Sequence, residues 1–407
     1  MYYKKINKCR ICLDKNLKEV FNLGKQVIAS YFPKEKEKDY RKIPLVLVKC
    51  KKCELVQLQH TVDSSKLYTN NYGYRSGINS TMTKHLQNIT KYIKKNYEIK
   101  KNDTILDIGC NDGTLLKSYN RNDIYYVGID PVAKKFKKFY SKKFLIKANY
   151  FNSQNYFKII RNKAKIITSI SMFYDLPDPN KFVADIREIL APNGIWILEQ
   201  SYMPFMLKTN SFDTICHEHL EYYCLKQINH LVIKNNLKII NVFFNKINGG
   251  SFQVHVAHKN STIKENLVKI RKILNKEKNL NIDFEFKKLK KNILKIKNNL
   301  LEYLTEYKNL NKKVFVYGAS TKGNTLLQYF NINKKLISAA AERNSEKFGL
   351  ETPGTRIPII SEDQMRKSNP DFLLVLPWHF KGEFIKRERT FLNKIKFIFP
   401  LPTLTIL

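Results

Sequence analysis

Residues 103–116 read DTILDIGCNDGTLL. DTILDIG is apolar and β-branched, which predicts a buried strand, and GTLLKSYN after it predicts a helix. The glycine-containing turn between them is where the backbone of an α/β fold can approach a ligand. Working outward, the alternation continues. IYYVGID and AKIITSIS predict strands, KFVADIREIL a helix and GIWILEQ a further strand. Strands alternating with helices imply a parallel, doubly wound sheet.

The turn itself narrows the ligand. It is not the pyrophosphate fingerprint G-x-G-x-x-G, because Asn111 stands where the second glycine would be. Gly109 permits close backbone approach, and Asn111, Asp112 and Gly113 complete D-I-G-C-N-D-G. Asp107 at the strand end suits a ligand with a cationic amino-acid end better than a pyrophosphate. Asp130 ends the next strand, 21 residues after Gly109, the usual place for a carboxylate that holds both ribose hydroxyls. Two carboxylates at successive strand ends favour S-adenosylmethionine (SAM) over a plain turn followed by a surface Asp.

The chain has 407 residues, 43% of them hydrophobic, enough for two or three domains. No apolar run approaches the ~18 residues of a membrane span. MYYKKINKCRIC lacks a signal-peptide core. A cytoplasmic protein with reduced cysteines is therefore expected. The formal charge of +38 raises nucleic-acid binding. The excess is nearly all Lys, spread along the chain with no interleaved aromatics, so a generic lysine-rich surface is the favoured reading. An anionic small substrate would suit it equally.

Cys9 and Cys12 lie in CRIC, Cys50 and Cys53 in CKKC. Each C-x-x-C turn brings two thiolates to one side of a tetrahedral ion. The 37 intervening residues, 13–49, exceed a short finger and require a folded excursion. Four unrelated thiols or a redox pair would be the alternatives. An all-cysteine set leaves no open position, so the zinc is expected to be structural. Cys110, Cys216 and Cys224 have no paired spacing and are assigned no metal.

The expected layout is a zinc-binding domain over 1–70, a SAM domain over 71–258, connecting helices over 259–312 and a further α/β domain over 313–407. The last opens with a second strand–turn–helix, KKVFVYGASTKGNTLLQYF, followed by strands in KLISAAAE and DFLLVLPWH. Residues 260–312 carry Leu and Ile at helical spacing within a Lys- and Asn-rich stretch, and read as solvated helices. Within the SAM region, CHEHLEYY sets His217, Glu218 and His219 in succession. Extended, the two His would share a face; in a turn all three fan out. A general base is one reading, since His titrates near working pH, and hydrogen-bonded helix caps are the other. Tyr72, Tyr74 and Arg75 in NNYGYRSG could form a lid or supply hydroxyls, or simply pack.

Taken together, CRIC…CKKC, YGYRSGINSTM, ILDIGCNDGTLL, GIDP, FDTICHEHLEYY, NGGSF, YGASTKGNTLLQY, PGTRIPI and DFLLVLPW resemble, in order and over essentially the whole chain, the sugar C-methyltransferases that modify nucleotide-linked deoxysugars. The resemblance implies a zinc-binding domain, a class I SAM-methyltransferase Rossmann-like domain and a second Rossmann-like domain, with the active site between the last two. It implies His219 and Glu218 as acid/base residues, with Tyr74 close by and His217 or a Tyr as donor to an enolate oxygen. The cofactor set would be Asp107, Gly109, Asn111, Asp112, Gly113, Asp130, Pro131 and Asn149. The substrate set, for a nucleotide-linked keto-deoxysugar, would be Tyr72, Lys322, Gly323, Asn324 and Arg343. Two departures stand out: AAERN, where the family commonly has Asp before Arg-Asn, and Gln253, where Arg is common.

The implied chemistry is removal of an acidic C–H beside a carbonyl by His219, then attack of the enolate carbon on the SAM methyl. The same scaffold could methylate oxygen or nitrogen, and a zinc-containing RNA methyltransferase or a non-catalytic scaffold are the more distant readings. Monomer and homodimer remain equal expectations.

Overall fold

In the computed structural model of the chain, residues 2–38, 41–68, 72–390 and 394–407 are described. The central sheet has seven strands, in the order Leu237–Asn245, Ser251–His258, Leu190–Ser201, Ala164–Ile170, Thr104–Ile108, Tyr125–Ile129, Phe144–Lys147. All run parallel except Ser251–His258, which is antiparallel to both neighbours. Thr104–Ile108, which feeds the Gly109 turn, is central and buried along its whole length. Chain order reverses on either side of it, and such a switch point opens a crevice at the carboxyl ends of the strands.

A second sheet, in the order Ile359–Ser361, Ala340–Glu342, Val314–Tyr317, Phe372–Val375, Lys396–Phe399, Thr405–Ile406, is parallel but for its last strand. Its central strand, Val314–Tyr317, leads through Gly318 into the helix Thr321–Phe330, capped by the Ser320 hydroxyl, which accepts from the Gly323 N–H at 3.1 Å.

The N-terminal module is a four-stranded antiparallel sheet, and its edge strand is not N-terminal. Glu221–Tyr222, from the CHEHLEYY segment, pairs with Val56–Leu58, beside Ile43–Cys50 and Leu17–Gln26. The excursion between the cysteine pairs also reaches the last domain. The Asn324 side-chain amide donates to Ala29 O at 2.7 Å, and the Val27 N–H donates to Gln328 Oε1 at 3.0 Å.

Residues 260–312 are two helices, Leu267–Lys278 and Ile282–Asn309, but they are not simply solvated. Ile282, Phe286, Leu289, Ile293, Ile296, Leu300 and Leu304 of the longer one are buried, at three- and four-residue steps. They join one continuous core that runs from Phe21 and Leu47 to Val314 and Leu374. At about 1.5–3 kcal/mol for each buried side chain, an upper bound, this stripe ties the first and last domains together. The Lys residues that coloured the sequence occupy its other face.

Candidate active site

The four thiols come together. Cys9, Cys12, Cys50 and Cys53 Sγ all lie within 4.8 Å of one another, with Cys9–Cys53 at 3.5 Å and Cys12–Cys50 at 3.4 Å. A zinc ion with Zn–S bonds of about 2.3 Å needs tetrahedral edges of about 3.8 Å, so the donor set fits. Both knuckles turn the same way. Leu13 N–H donates to Cys9 O and Glu54 N–H to Cys50 O, at 3.1 and 3.0 Å, and Leu13 and Glu54 both take positive φ.

A cavity of about 460 Å³ opens at the carboxyl edge of the central sheet, bordered by Asp107, Gly109, Asn111, Asp130 and Pro131. Asp130 accepts the Asn111 N–H at 2.8 Å and the Val132 N–H at 2.7 Å, which fixes its carboxylate at the strand end. Asp107 accepts from the Thr168 hydroxyl at 2.6 Å. Burial pushes the Asp107 carboxyl up to about 7, the Thr168 bond opposing and Asp130 adding to it. A cationic group beside it would restore its charge.

The other residues of the turn have a different task. Asn111 Oδ1 accepts the Ser76 N–H at 2.9 Å, its amide donates to Tyr74 O at 3.3 Å, and Asp112 Oδ2 accepts the Gly77 N–H at 3.0 Å. They fasten residues 74–77 over the cavity. A Cβ on Gly77 would come within 2.5 Å of that Asp112 oxygen, so only glycine lets the loop seat. Asp112 and Gly113 do not line the cavity, Gly113 facing Tyr140 instead. Neither does Asn149, whose Oδ1 accepts the Tyr150 N–H, while Tyr150 to Asn152 do.

A second cavity, about 320 Å³, lies between the central domain and the last one. Tyr68, Tyr72, Tyr74, Met82, Ser171 and Asp175 line both cavities, so the two adjoin. Residues 217–218 form a turn, and the three consecutive side chains fan out. Glu218 and His219 reach the second cavity; His217 does not. It is buried toward the N-terminal sheet, its Nε2 3.2 Å from Ile43 O. His219 Nδ1 lies 2.7 Å from Thr214 O, which can only accept, so Nδ1 carries the hydrogen and Nε2 keeps its lone pair. Burial, with the Lys322 charge adding to it, pushes this imidazole down to about 3. Tyr174 packs edge-on against it at 4.3 Å. Both carboxyl oxygens of Glu218 are buried without a protein partner.

From the last domain, Lys322, Arg343, Lys347 and Arg387 line this cavity. Lys322 Nζ donates to Asn248 O at 3.0 Å and so spans the two domains. Arg343 donates to Ile78 O at 3.2 Å, which staples the loop from the other side. Gly323 packs against Leu376, and Asn324 is spent on Ala29, so neither borders the cavity. The lining residues Tyr68, Asp175, Cys216, Lys347, His379 and Arg387 were not singled out from sequence. Asp175 had a signal, since it follows the strand in AKIITSIS as Asp107 and Asp130 sit at the ends of theirs. Gln253 is also accounted for. It donates to the buried Glu199 at 2.8 Å, and His85 Nε2 lies 2.6 Å from the same carboxylate, in a polar chain away from the cavities.

Residues 9–68 match the family model described as "Putative zinc binding domain", 79–242 that of a methyltransferase domain and 246–402 that of the C-methyltransferase C-terminal domain. The chain belongs to the three-domain, SAM-dependent C-methyltransferases. It is 25% identical over 404 residues to the C-methyltransferase NovU of Streptomyces niveus, covering 98% of this chain and 96% of that protein. Solved structures show partial likeness. The magnesium protoporphyrin IX methyltransferase of Synechocystis PCC 6803 with bound SAM is 10% identical, covers 43% of this chain and 79% of that chain, and has a TM-score of 0.33. The plantazolicin methyltransferase BpumL is 11% identical, covers 47% and 88%, and has a TM-score of 0.37. The enzyme uses SAM and carries a four-cysteine zinc site. Among the described residues no helix is long and apolar enough to cross a membrane.

Proposed function

We propose that this C-methyltransferase acts on a nucleotide-linked keto-deoxysugar through an enolate. The observation that carries the reading is the second cavity. It adjoins the cavity at Asp107 and Asp130, is lined by His219, whose Nε2 keeps its lone pair, and takes Lys322, Arg343, Lys347 and Arg387 from the last domain. Such cations suit the diphosphate of a nucleoside diphosphate.

In this reading Asp107 faces the ammonium end of SAM and Asp130 its ribose, with Gly109 and Pro131 against its body. The methyl sulfonium supplies the electrophile. His219 Nε2 takes the proton from the carbon beside the keto group, and the C–H electron pair passes into the enolate. The enolate carbon then bonds to the methyl group as its bond to sulfur breaks, and the proton leaves through His219 to solvent. Carbon needs this activation because it is otherwise a poor nucleophile. The closed zinc site takes no part in the step; its place is the strand pairing that seats residues 221–222. The mononucleotide-sized cavity and the lysines spread over the outer face favour a small anionic substrate over RNA.

The test is mass spectrometry of a panel of keto-deoxysugar nucleotides incubated with enzyme and SAM in D2O. A product one methyl heavier that has lost its α-hydrogen supports the reading. A methylated product that retains every carbon-bound hydrogen would mean O- or N-methylation instead.

A further inference from the structure

Asp175 sits where the two cavities meet. Its Oδ2 accepts the Tyr68 hydroxyl at 2.9 Å, and its Oδ1 is buried with no protein partner. The methyl group and the nucleophilic carbon must meet at this junction, because one substrate comes from each cavity. The enolate oxygen is bonded to the next carbon, and so lies only about 2.4 Å from the nucleophilic one by ordinary bond lengths and angles. Whatever bears the charge on that oxygen must therefore stand at the junction too.

Six described residues line both cavities, and two of them, Met82 and Tyr68, have no donor to give: Met82 is apolar, and the Tyr68 hydroxyl is directed at Asp175. Ser171 Oγ accepts from the Asn248 amide at 3.3 Å and keeps its own hydroxyl proton, and Tyr74 is 43% exposed. Asp175 remains as the one carboxyl at the junction, with the Tyr72 and Ser171 hydroxyls beside it. Burial holds the Asp175 carboxyl well above the usual carboxylate range, the Tyr68 bond opposing and the Glu218 carboxylate adding to the rise. The Tyr68 hydroxyl occupies Oδ2, which leaves Oδ1, buried and without a protein partner, as the oxygen available to hold a proton. A carboxylic acid kept neutral by burial is a strong hydrogen-bond donor to an oxyanion.

We infer that Asp175 is a further catalytic residue, whose protonated carboxyl, oriented by Tyr68, donates a hydrogen bond to the enolate oxygen formed when His219 removes the α-proton. This rests on the enolate reading above. No proton is lost from Asp175 in the step. The α-proton passes to His219, the carbonyl π pair moves onto oxygen, and that pair returns to form the C–C bond as sulfur takes the electrons of its methyl bond.

The experiment follows α-hydrogen exchange of an accepted keto-sugar nucleotide in D2O without SAM, which isolates enolate formation. Asp175→Leu removes the donor at similar volume; Asp175→Asn keeps a neutral donor. The expected result is a loss of at least ~100-fold in exchange for Asp175→Leu, the scale of one deleted oxyanion donor, with Asp175→Asn within about tenfold of wild type and SAM affinity unchanged in both. Exchange by Asp175→Leu within about threefold of wild type overturns the inference and leaves the donor to the Tyr72 or Ser171 hydroxyl. Should Asp175→Leu fail to bind SAM, Asp175→Asn decides alone, and a loss beyond ~100-fold in it overturns the role. A wild-type enzyme that methylates its substrate without any exchange sinks the enolate reading itself, a separate outcome.

Discussion

Arg10 stands between two zinc ligands, yet its guanidinium serves the segment that carries His219. Nη1 donates to Leu58 O at 2.8 Å and to Gln57 Oε1 at 3.3 Å, Nη2 donates to Thr61 Oγ1 at 2.7 Å, and Nε lies 3.4 Å from Glu221 Oε1. The two side chains are 4% and 0% exposed, and burial holds the Glu221 carboxyl well above its usual range while Arg10 draws it down. Replacing Arg10 with Met would leave the Glu221 carboxyl buried without its counter-charge. Removal of one partner of such a pair costs about 3–5 kcal/mol, whereas replacing both by apolar groups is often nearly neutral. Arg10→Met alone is therefore expected to destabilise the N-terminal module by ~3–5 kcal/mol, and Arg10→Met with Glu221→Met by far less. The protein has several domains, so the assay must report this one. Cobalt(II) substituted at the four thiolates gives visible bands that vanish when the module opens, and urea titration of those bands reads the local stability. Turnover should fall in Arg10→Met as well, with SAM affinity kept, because Glu221 is two residues from His219. A single variant within ~1 kcal/mol of wild type, or a double variant as unstable as the two singles summed, would refute the coupling.

Replacing His219 with Asn should lower turnover by about 10²–10⁴-fold, the range for a lost general base, while calorimetric SAM binding stays intact; a fully active variant removes His219 from the chemistry. Gly77→Ala should loosen the loop held by Asn111 and Asp112, since its Cβ would meet Asp112 Oδ2 at 2.5 Å; roughly tenfold weaker SAM binding is expected, near the 1–3 kcal/mol of a buried acceptor left unpaired, and unchanged affinity would exclude a role for the clamp. Stability should also depend on pH through buried imidazoles. Burial holds His217 down to about 4, and His219, His255 and His379 down to about 3. The native state then binds fewer protons than the unfolded one from about pH 6.5 down to those values. Stability is full above that range and falls as pH drops, by up to about 1.4 kcal/mol per unit for each group. Tm measured between pH 7.5 and 5 in excess zinc should decline, and a flat profile would show these residues to be solvated.

The central domain was legible because its signals are local. Thr104–Ile108 announces itself by composition, and Asp107 and Asp130 by their places at strand ends, so the cavity they border follows from spacing alone. The cysteine pairs were equally plain, since a C-x-x-C knuckle needs only its own turn. His217, Glu218 and His219 were different. Their chemistry could be named, but which of them reaches substrate depends on a turn at 217–218 and on the strand pairing of residues 221–222 with Val56–Leu58, more than 160 positions earlier. Asn111 and Asp112 read as cofactor ligands from the motif; their side chains hold a loop 35 residues upstream, and Asn111 borders the first cavity as well.

By itself, then, the sequence determined the class of enzyme, the two strand-end carboxylates that border the first cavity and the four-cysteine metal site, each of which rests on residues close together along the chain. Only the tertiary structure decided that the zinc module, the long helix and the last domain share one core, that the two cavities meet at Asp175, and that His219 rather than His217 faces them. Those are contacts between segments far apart in sequence, and they are set by burial of apolar surface and by the pairing of backbone groups that no local pattern records.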